Sequence, residues 1–276
     1  MYTNEANILQ LISLLKAHNI RTVVASPGNT NITFVGSVQN DDFFNIYSCV
    51  DERSAAYMAC GLAEESGEPV VISCTGATAA RNYPSALTEA FYRKLPIIAV
   101  TSSQHFGRVG QLFPQFTDRN VLFNDIAAVS VQIPHPYSLE DYWSNNVKLN
   151  NALLQARRNG GNPVHINLET VFSNDFNVKE LPVERVIQRF SAEDDLPCLS
   201  AKKIGIFVGS HRKYSDAETA IIDEFCEKYN SVVVCDHTSG YKGKYRVLGG
   251  LVAGQDDYRP DCLNFDVMIH LGEISG

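Results

Sequence analysis

"EPVVISCTGATAARNYPSALTEAFYRKLPIIAVTS", residues 68–102, decides the fold. Two short apolar runs, Val70–Cys74 and Ile97–Thr101, flank a stretch with helical patterning, Ala77–Arg93. Neither run alternates apolar with polar residues. A strand of that kind is covered on both faces, and two such strands joined through a helix run parallel. The same rhythm extends both ways. Further strands are expected at Thr22–Ala25, Phe44–Val50, Ala128–Ile133 and Val164–Leu168. Helices are expected at Asn31–Val38, Arg53–Glu65 and Leu139–Arg158. Ile8, Leu11, Ile12 and Leu15 recur at helical spacing near the N-terminus, with Thr3 or Asn4 as a cap.

This pattern predicts an α/β fold: a doubly wound parallel sheet with helices on both faces, over residues 1–170. A polar stretch with Pro182, Pro197 and the acids Glu193-Asp194-Asp195 reads as a linker over 171–200. Strand–helix alternation then resumes at Ile204–Val208, Asp216–Tyr229, Val232–Asp236 and Asp266–Leu271. Residues 201–276 read as a second, incomplete Rossmann-like α/β domain, truncated just after a strand.

Composition narrows the function. Of 276 residues, 45% are hydrophobic and 20% charged, enough for a sizeable core. A net charge of −8 without basic clusters argues against nucleic-acid or anionic-membrane partners. No apolar run approaches the ~18 residues of a membrane span. Seven scattered cysteines without a C-x-x-C pair read mostly as buried free thiols in a reducing, cytoplasmic setting. No histidines stand at metal-ligand spacing, and no metal site is expected on this chain. G-x-G-x-x-G after the first strand, G-x-x-x-x-G-K-[ST] and G-x-S-x-G are all missing.

What remains sits after the strands, on the edge where open parallel sheets bind ligands. These segments are Ser26-Pro27-Gly28-Asn29-Thr30, Asp51-Glu52-Arg53, Thr75-Gly76-Ala77-Thr78 with Asn82, and the long loop Ser102–Asp118 with Gln104, His105, Gln111 and Gln115. Each has a plain structural explanation when taken singly: Pro-Gly as a turn, the acids as a favourable helix start, Thr-Gly-Ala-Thr as a capped one.

In combination, Pro-Gly, then V-D-E-R-S-A-A-Y-M-A-x-G-L-A, then C-T-G-A-T-A-A-R-N-Y-P, then R-K-L-P-I-I-A-V-T, resembles the N-terminal pyrimidine-binding domain of thiamine diphosphate enzymes. The resemblance is strongest to the 2-succinyl-5-enolpyruvyl-6-hydroxy-3-cyclohexene-1-carboxylate synthases of menaquinone biosynthesis. It is densest from Ala25 to Arg119, and residues from Lys203 onward resemble the central domain of the same enzymes.

The resemblance implies that Glu52 is the cofactor-activating glutamate, stabilising the imino tautomer of the aminopyrimidine through a ring nitrogen. It places Thr75 and Asn82 in the pyrimidine pocket, and Pro27 and Gly28 in the turn bordering it. Asn29, Thr30, Gln104, Gln111 and Gln115 fall on the substrate side. Thr30 and Gln104 stand where the menaquinone synthases carry carboxylate-gripping arginines, so a different, less acidic acceptor is expected. Thiamine diphosphate and Mg2+ are implied cofactors. In the family a C-terminal domain with Gly-Asp-Gly holds the diphosphate and metal. That motif does not occur here, so half a cofactor site, inactive by itself, is expected on this chain. The implied partners are a small 2-oxo acid, an acceptor and further copies in a homodimer or homotetramer. The alternatives are a non-catalytic α/β binding or assembly module derived from this fold, and an unrelated nucleotide-binding protein, which the missing glycine fingerprints disfavour.

Overall fold

The computed structural model describes residues 1–113, 123–249, 261 and 264–273. The chain forms two compact units, Met1–Arg189 and Phe190–Gly276.

The first unit is built on β1 (Thr22–Ala25), β2 (Asn45–Ser48), β3 (Val70–Thr75), β4 (Ile97–Ser103), β5 (Val129–Ile133) and β6 (Val164–Glu169). All pair in parallel, in the order β2-β1-β3-β4-β6-β5. The continuous apolar runs are explained by two separate cores. Val23, Val71, Ile98, Val100, Ile166 and Leu168 face one core with helices α1 (Ala6–Ala17), α2 (Ile32–Val38) and α5 (Leu139–Ala156). Val24, Val70, Ile72, Cys74, Ile97 and Ala99 face the other with α3 (Glu52–Ser66) and α4 (Pro84–Arg93). Alternate residues of one strand therefore enter different cores, and both sets must be apolar.

Three local expectations change. The helix read over Ala77–Arg93 is split into a 3-10 turn, Ala79–Asn82, and α4. Pro84 at the first turn of α4 has no N–H to donate backwards, so a helix starts there rather than runs through. The strand read over Phe44–Val50 shrinks to four residues at the sheet edge. Glu5, not Thr3 or Asn4, precedes α1, and no side chain caps it. The Glu5 carboxylate instead accepts from Thr170 Oγ1 (2.9 Å), Val171 N (3.2 Å) and Ser173 N (2.9 Å).

Residues 171–189 pack within the first unit. Asn146 Nδ2 donates to Glu184 Oε2 at 2.7 Å, Asn150 Nδ2 to Arg185 O at 2.9 Å, and Ser13 Oγ to Pro182 O at 2.7 Å. The segment read as a linker over 171–200 is thus divided by the boundary after Arg189.

One buried residue ties the far strands at their carboxyl ends. Asn7 Nδ2, on α1, donates to Ile133 O (3.2 Å) and Glu169 O (2.7 Å). Asn7→Ala strands two carbonyls and is expected to cost about 2 kcal/mol. Urea denaturation of the two proteins checks this; equal midpoints would refute it.

The second unit has β7 (Ile204–Val208), α6 (Asp216–Tyr229), β8 (Val232–Cys235), β9 (Arg246–Leu248) and β10 (Val267–Leu271). Its sheet is parallel, in the order β10-β7-β8-β9. α6 begins with a reciprocal cap between Ser215 and Glu218. The three-residue β9 is too short to show periodicity and was not expected from the sequence.

Cys60, Cys74, Cys226 and Cys235 are buried free thiols, whereas Cys198 is exposed and Cys262 lies outside the described residues. Burial pushes the Cys60 and Cys226 thiols up to about 11. A thiol reagent on the native protein is expected to label Cys198 and leave the four buried cysteines untouched until unfolding; peptide mass mapping reads the outcome.

Candidate active site

The chain leaving β1 enters α2 on one face of the sheet, and the chain leaving β3 enters α4 on the other. The two strands are neighbours. Between them, at the carboxyl edge, lies the crevice in which open α/β sheets bind ligands.

Small residues let the backbones meet there. A Cβ on Gly28 would overlap Thr75 Cγ2, and one on Gly76 would overlap Ser102 O. Asn31 fastens the β1 loop, accepting from Gly28 N (2.8 Å) and donating to Ser26 O (3.2 Å) and Ser73 Oγ (3.2 Å). Thr30, expected on the substrate side, is only 7% exposed. Its hydroxyl donates to Ser102 O at 2.7 Å and accepts from Gly76 N at 3.4 Å. The structure makes it a strut across three loops. Its hydroxyl is committed to backbone because the β1, β3 and β4 ends converge on it. Pro27, Gly28 and Asn29 line a cleft of ≈ 500 Å³ with Asn31, Ile32 and Gly36.

Glu52 is the first residue of α3. Asp51 supplies the cap, accepting from Ser54 N at 2.7 Å. That leaves the half-buried Glu52 carboxylate without a hydrogen bond among the described residues. A carboxylate at a helix N-terminus is favoured by the helix dipole. The buried Tyr83 hydroxyl lies within its field. Burial raises the Tyr83 pKa well above its ordinary value, and Cys74 and Glu52 add to the rise.

The remaining expected residues are more dispersed. Thr75 ends β3 against Gly28. Asn82 is exposed, its amide donating to Ala79 O at 3.2 Å within its own turn. Gln104 follows β4 and accepts from the Arg108 guanidinium. Gln111 is exposed, and Gln115 lies outside the described residues.

Sequence reasoning passed over a second group on the same edge. Glu169 ends β6 opposite Ser103 of β4, and it is 3% exposed. Burial raises its carboxyl above the ordinary range, against the opposing pull of His105, His135 and Arg108; Glu5 adds to the rise. The signal was present in His165-Ile166-Asn167-Leu168-Glu169, where polar residues alternate with apolar ones. His165 bonds Thr101 Oγ1 and Ser130 Oγ, both at 2.8 Å, and Asn167 bonds Thr101, Ser103 and Gln132. That face of β6 is a polar ladder leading to the site edge.

Residues 9–122 match the family described as thiamine pyrophosphate enzyme, N-terminal TPP binding domain. Residues 9–122, within the first unit, are thus similar to the N-terminal domain of the thiamine pyrophosphate enzymes. Among curated proteins, the chain is similar to 2-succinyl-5-enolpyruvyl-6-hydroxy-3-cyclohexene-1-carboxylate synthases. It is 37% identical to that of Phocaeicola vulgatus, over 69% of this chain and 34% of the relative. It is 38% identical to that of Bacteroides thetaiotaomicron over the same shares. With that of Flavobacterium johnsoniae it shares 29% identity, over 99% of this chain and 50% of the relative. The chain thus spans a third to a half of the length of these relatives. A solved structure of a protein from Mycobacterium smegmatis, assigned to the thiamin diphosphate-dependent enzymes, superposes with a TM-score of 0.53. At 19% identity, over 86% of this chain and 45% of that one, this likeness speaks for the fold alone.

Proposed function

We propose that this chain provides the pyrimidine-facing half of a thiamine diphosphate site in a 2-oxo acid decarboxylase or carboligase, with Glu52 as the activating carboxylate. The observation that carries the reading is Glu52 itself: a half-buried carboxylate at the sheet's carboxyl edge, relieved of capping by Asp51 and making no hydrogen bond of its own among the described residues. The glycines let the β1, β3 and β4 loops close on one another at that same edge, which fixes the backbone beside the site.

Thiamine diphosphate, when bound, supplies the carbon nucleophile and the electron sink for 2-oxo acid chemistry. Glu52 would share a proton with the aminopyrimidine ring, and Gly28 and Thr75 would border it. Asn82, which matches a position of the family motif, would line the same pocket. Asn29, Gln104 and Gln111 would face substrate. Among the described residues no His, Cys, Asp or Glu group can hold a metal ion. The diphosphate and Mg2+ are assigned, as the resemblance implies, to another domain or subunit, in a homodimer or homotetramer, and these 276 residues alone are expected to bind the cofactor weakly.

The absence of arginine at Thr30 and Gln104 supports an acceptor other than that of the menaquinone synthases. No described helix is long and apolar enough to cross a membrane. The cytoplasmic location is part of the proposal and rests on the scattered cysteines without a C-x-x-C pair. The test is calorimetry with thiamine diphosphate and Mg2+ on the longest natural form of the protein. Saturable binding that Glu52→Gln weakens supports the reading; a full-length protein that binds no cofactor would replace it with the non-catalytic module.

A further inference from the structure

The helical side of the first unit carries another cavity, of ≈ 230 Å³. Gln10 of α1 lines it, with Tyr142, Trp143 and Asn146 of α5 and Glu184 and Arg185 of the segment packed on those helices. It shares no residue with the cleft beside the β1 loop. Trp143 is 60% exposed and Tyr142 39%. Two adjoining rings left in water over a cavity form a patch that invites a ligand.

The polar groups of the cavity are acceptors. Glu184 Oε2 accepts from Asn146 Nδ2 at 2.7 Å and from Gln10 Nε2 at 3.3 Å. Glu184 Oε1 receives no hydrogen bond, and no cation pairs with this carboxylate, among the described residues. Gln10 is 1% exposed, and its Nε2 also donates to Tyr142 O at 3.1 Å. Both partners of Nε2 are acceptors, so the amide cannot be turned over. Its Oε1 is buried and without a partner. A buried acceptor left unanswered is uncommon and adds negative potential to the cavity floor. The ring faces above are negative as well.

The cavity is preformed. Ser13 Oγ donates to Pro182 O at 2.7 Å, Asn150 Nδ2 to Arg185 O at 2.9 Å, and Ile187 N to Asn150 Oδ1 at 2.8 Å. The backbone that carries Glu184 is thereby pinned to α1 on one side and α5 on the other. The Arg185 side chain is exposed and pairs with neither Glu184 nor Trp143 among the described residues.

We propose that Trp143, Tyr142 and Glu184 form a binding site for a small alkylammonium ion. The rings take the cationic head against their faces, and Glu184 Oε1 supplies the opposite charge. A guanidinium fits less well. Its fork needs both carboxylate oxygens, and Oε2 already serves two amides. An anion would meet the Glu184 carboxylate and the unanswered Gln10 carbonyl. The site lies outside the chemistry assigned to Glu52 and does not depend on it.

Trp143 is the one tryptophan of the 276-residue chain, so its fluorescence reports this cavity alone. The test is fluorescence titration with choline and with its neutral isostere, in which a tert-butyl group replaces trimethylammonium, at constant ionic strength. Choline is expected to change the emission saturably, with a dissociation constant on the order of 1 mM. The isostere should bind about tenfold more weakly, because it keeps the shape and loses the charge. Glu184→Gln should weaken choline about tenfold. Arg185→Ala should tighten it about threefold, by removing a like charge at the rim. Thermal melts establish that the variants are folded. Arg185→Ala removes an exposed side chain without a bond among the described residues, so it keeps the test decisive if Glu184→Gln loosens the segment. Equal binding of the isostere, indifference to Glu184→Gln, weaker binding in Arg185→Ala, or no saturable change with choline would each overturn the site.

Discussion

Glu52→Gln is expected to leave the first unit folded and to lower turnover of the complete enzyme by about 10²–10⁴-fold, the range of a lost general acid–base group. The amide matches the carboxylate in size but carries no charge to hold a shared proton. Folding should be spared because Asp51, not Glu52, caps α3. The loss of one favourable charge at the helix start costs only about 0.3–1 kcal/mol. Asp51→Ala gives the opposite signature: a lost cap worth about 1 kcal/mol and turnover largely retained. Thermal melts and steady-state release of carbon dioxide from a 2-oxo acid, measured on both variants, separate the two roles. Near wild-type turnover in Glu52→Gln would remove Glu52 from the chemistry.

The largest effect on stability is expected at Glu5. It is fully buried, and its carboxylate serves a hydroxyl and two backbone amides of residues 170–173. Glu5→Leu removes the acceptor from three donors at once and is expected to destabilise the first unit by about 3–5 kcal/mol, the cost of breaking a buried charged network from one side. Glu5→Gln, which retains one acceptor oxygen, should lose less. Chemical denaturation gives the comparison. A Glu5→Leu midpoint equal to that of wild type would show that the 170–173 turn holds without it. The consequence reaches the site, because this turn directly follows Glu169.

The sheet was legible because burial on both faces forces uninterrupted apolar runs, such as Val70–Cys74, and because helices between them leave only a parallel arrangement. The seam at Asp51-Glu52 was legible for a similar reason: charges between two buried elements need a local explanation, and a cap accounts for one acid but not both. Pro84 carried enough information to stop the expected long helix, and its position within an otherwise helical pattern hid it. His165, Asn167 and Glu169 were hidden by the opposite effect, three polar residues inside a strand that otherwise reads as apolar.

Sequence spacing reports neighbours along one strand or one helical turn, and that was sufficient to determine the α/β class, the parallel sheet and the loops that make its carboxyl edge. It could not report that Thr30 bonds a carbonyl 72 residues away, or that Asn7 bonds the Glu169 carbonyl 162 residues away. Those juxtapositions depend on strand order, β3 between β1 and β4 and β6 between β4 and β5. Tertiary structure alone decides them, because register and crossover, rather than distance along the chain, set which loop ends meet.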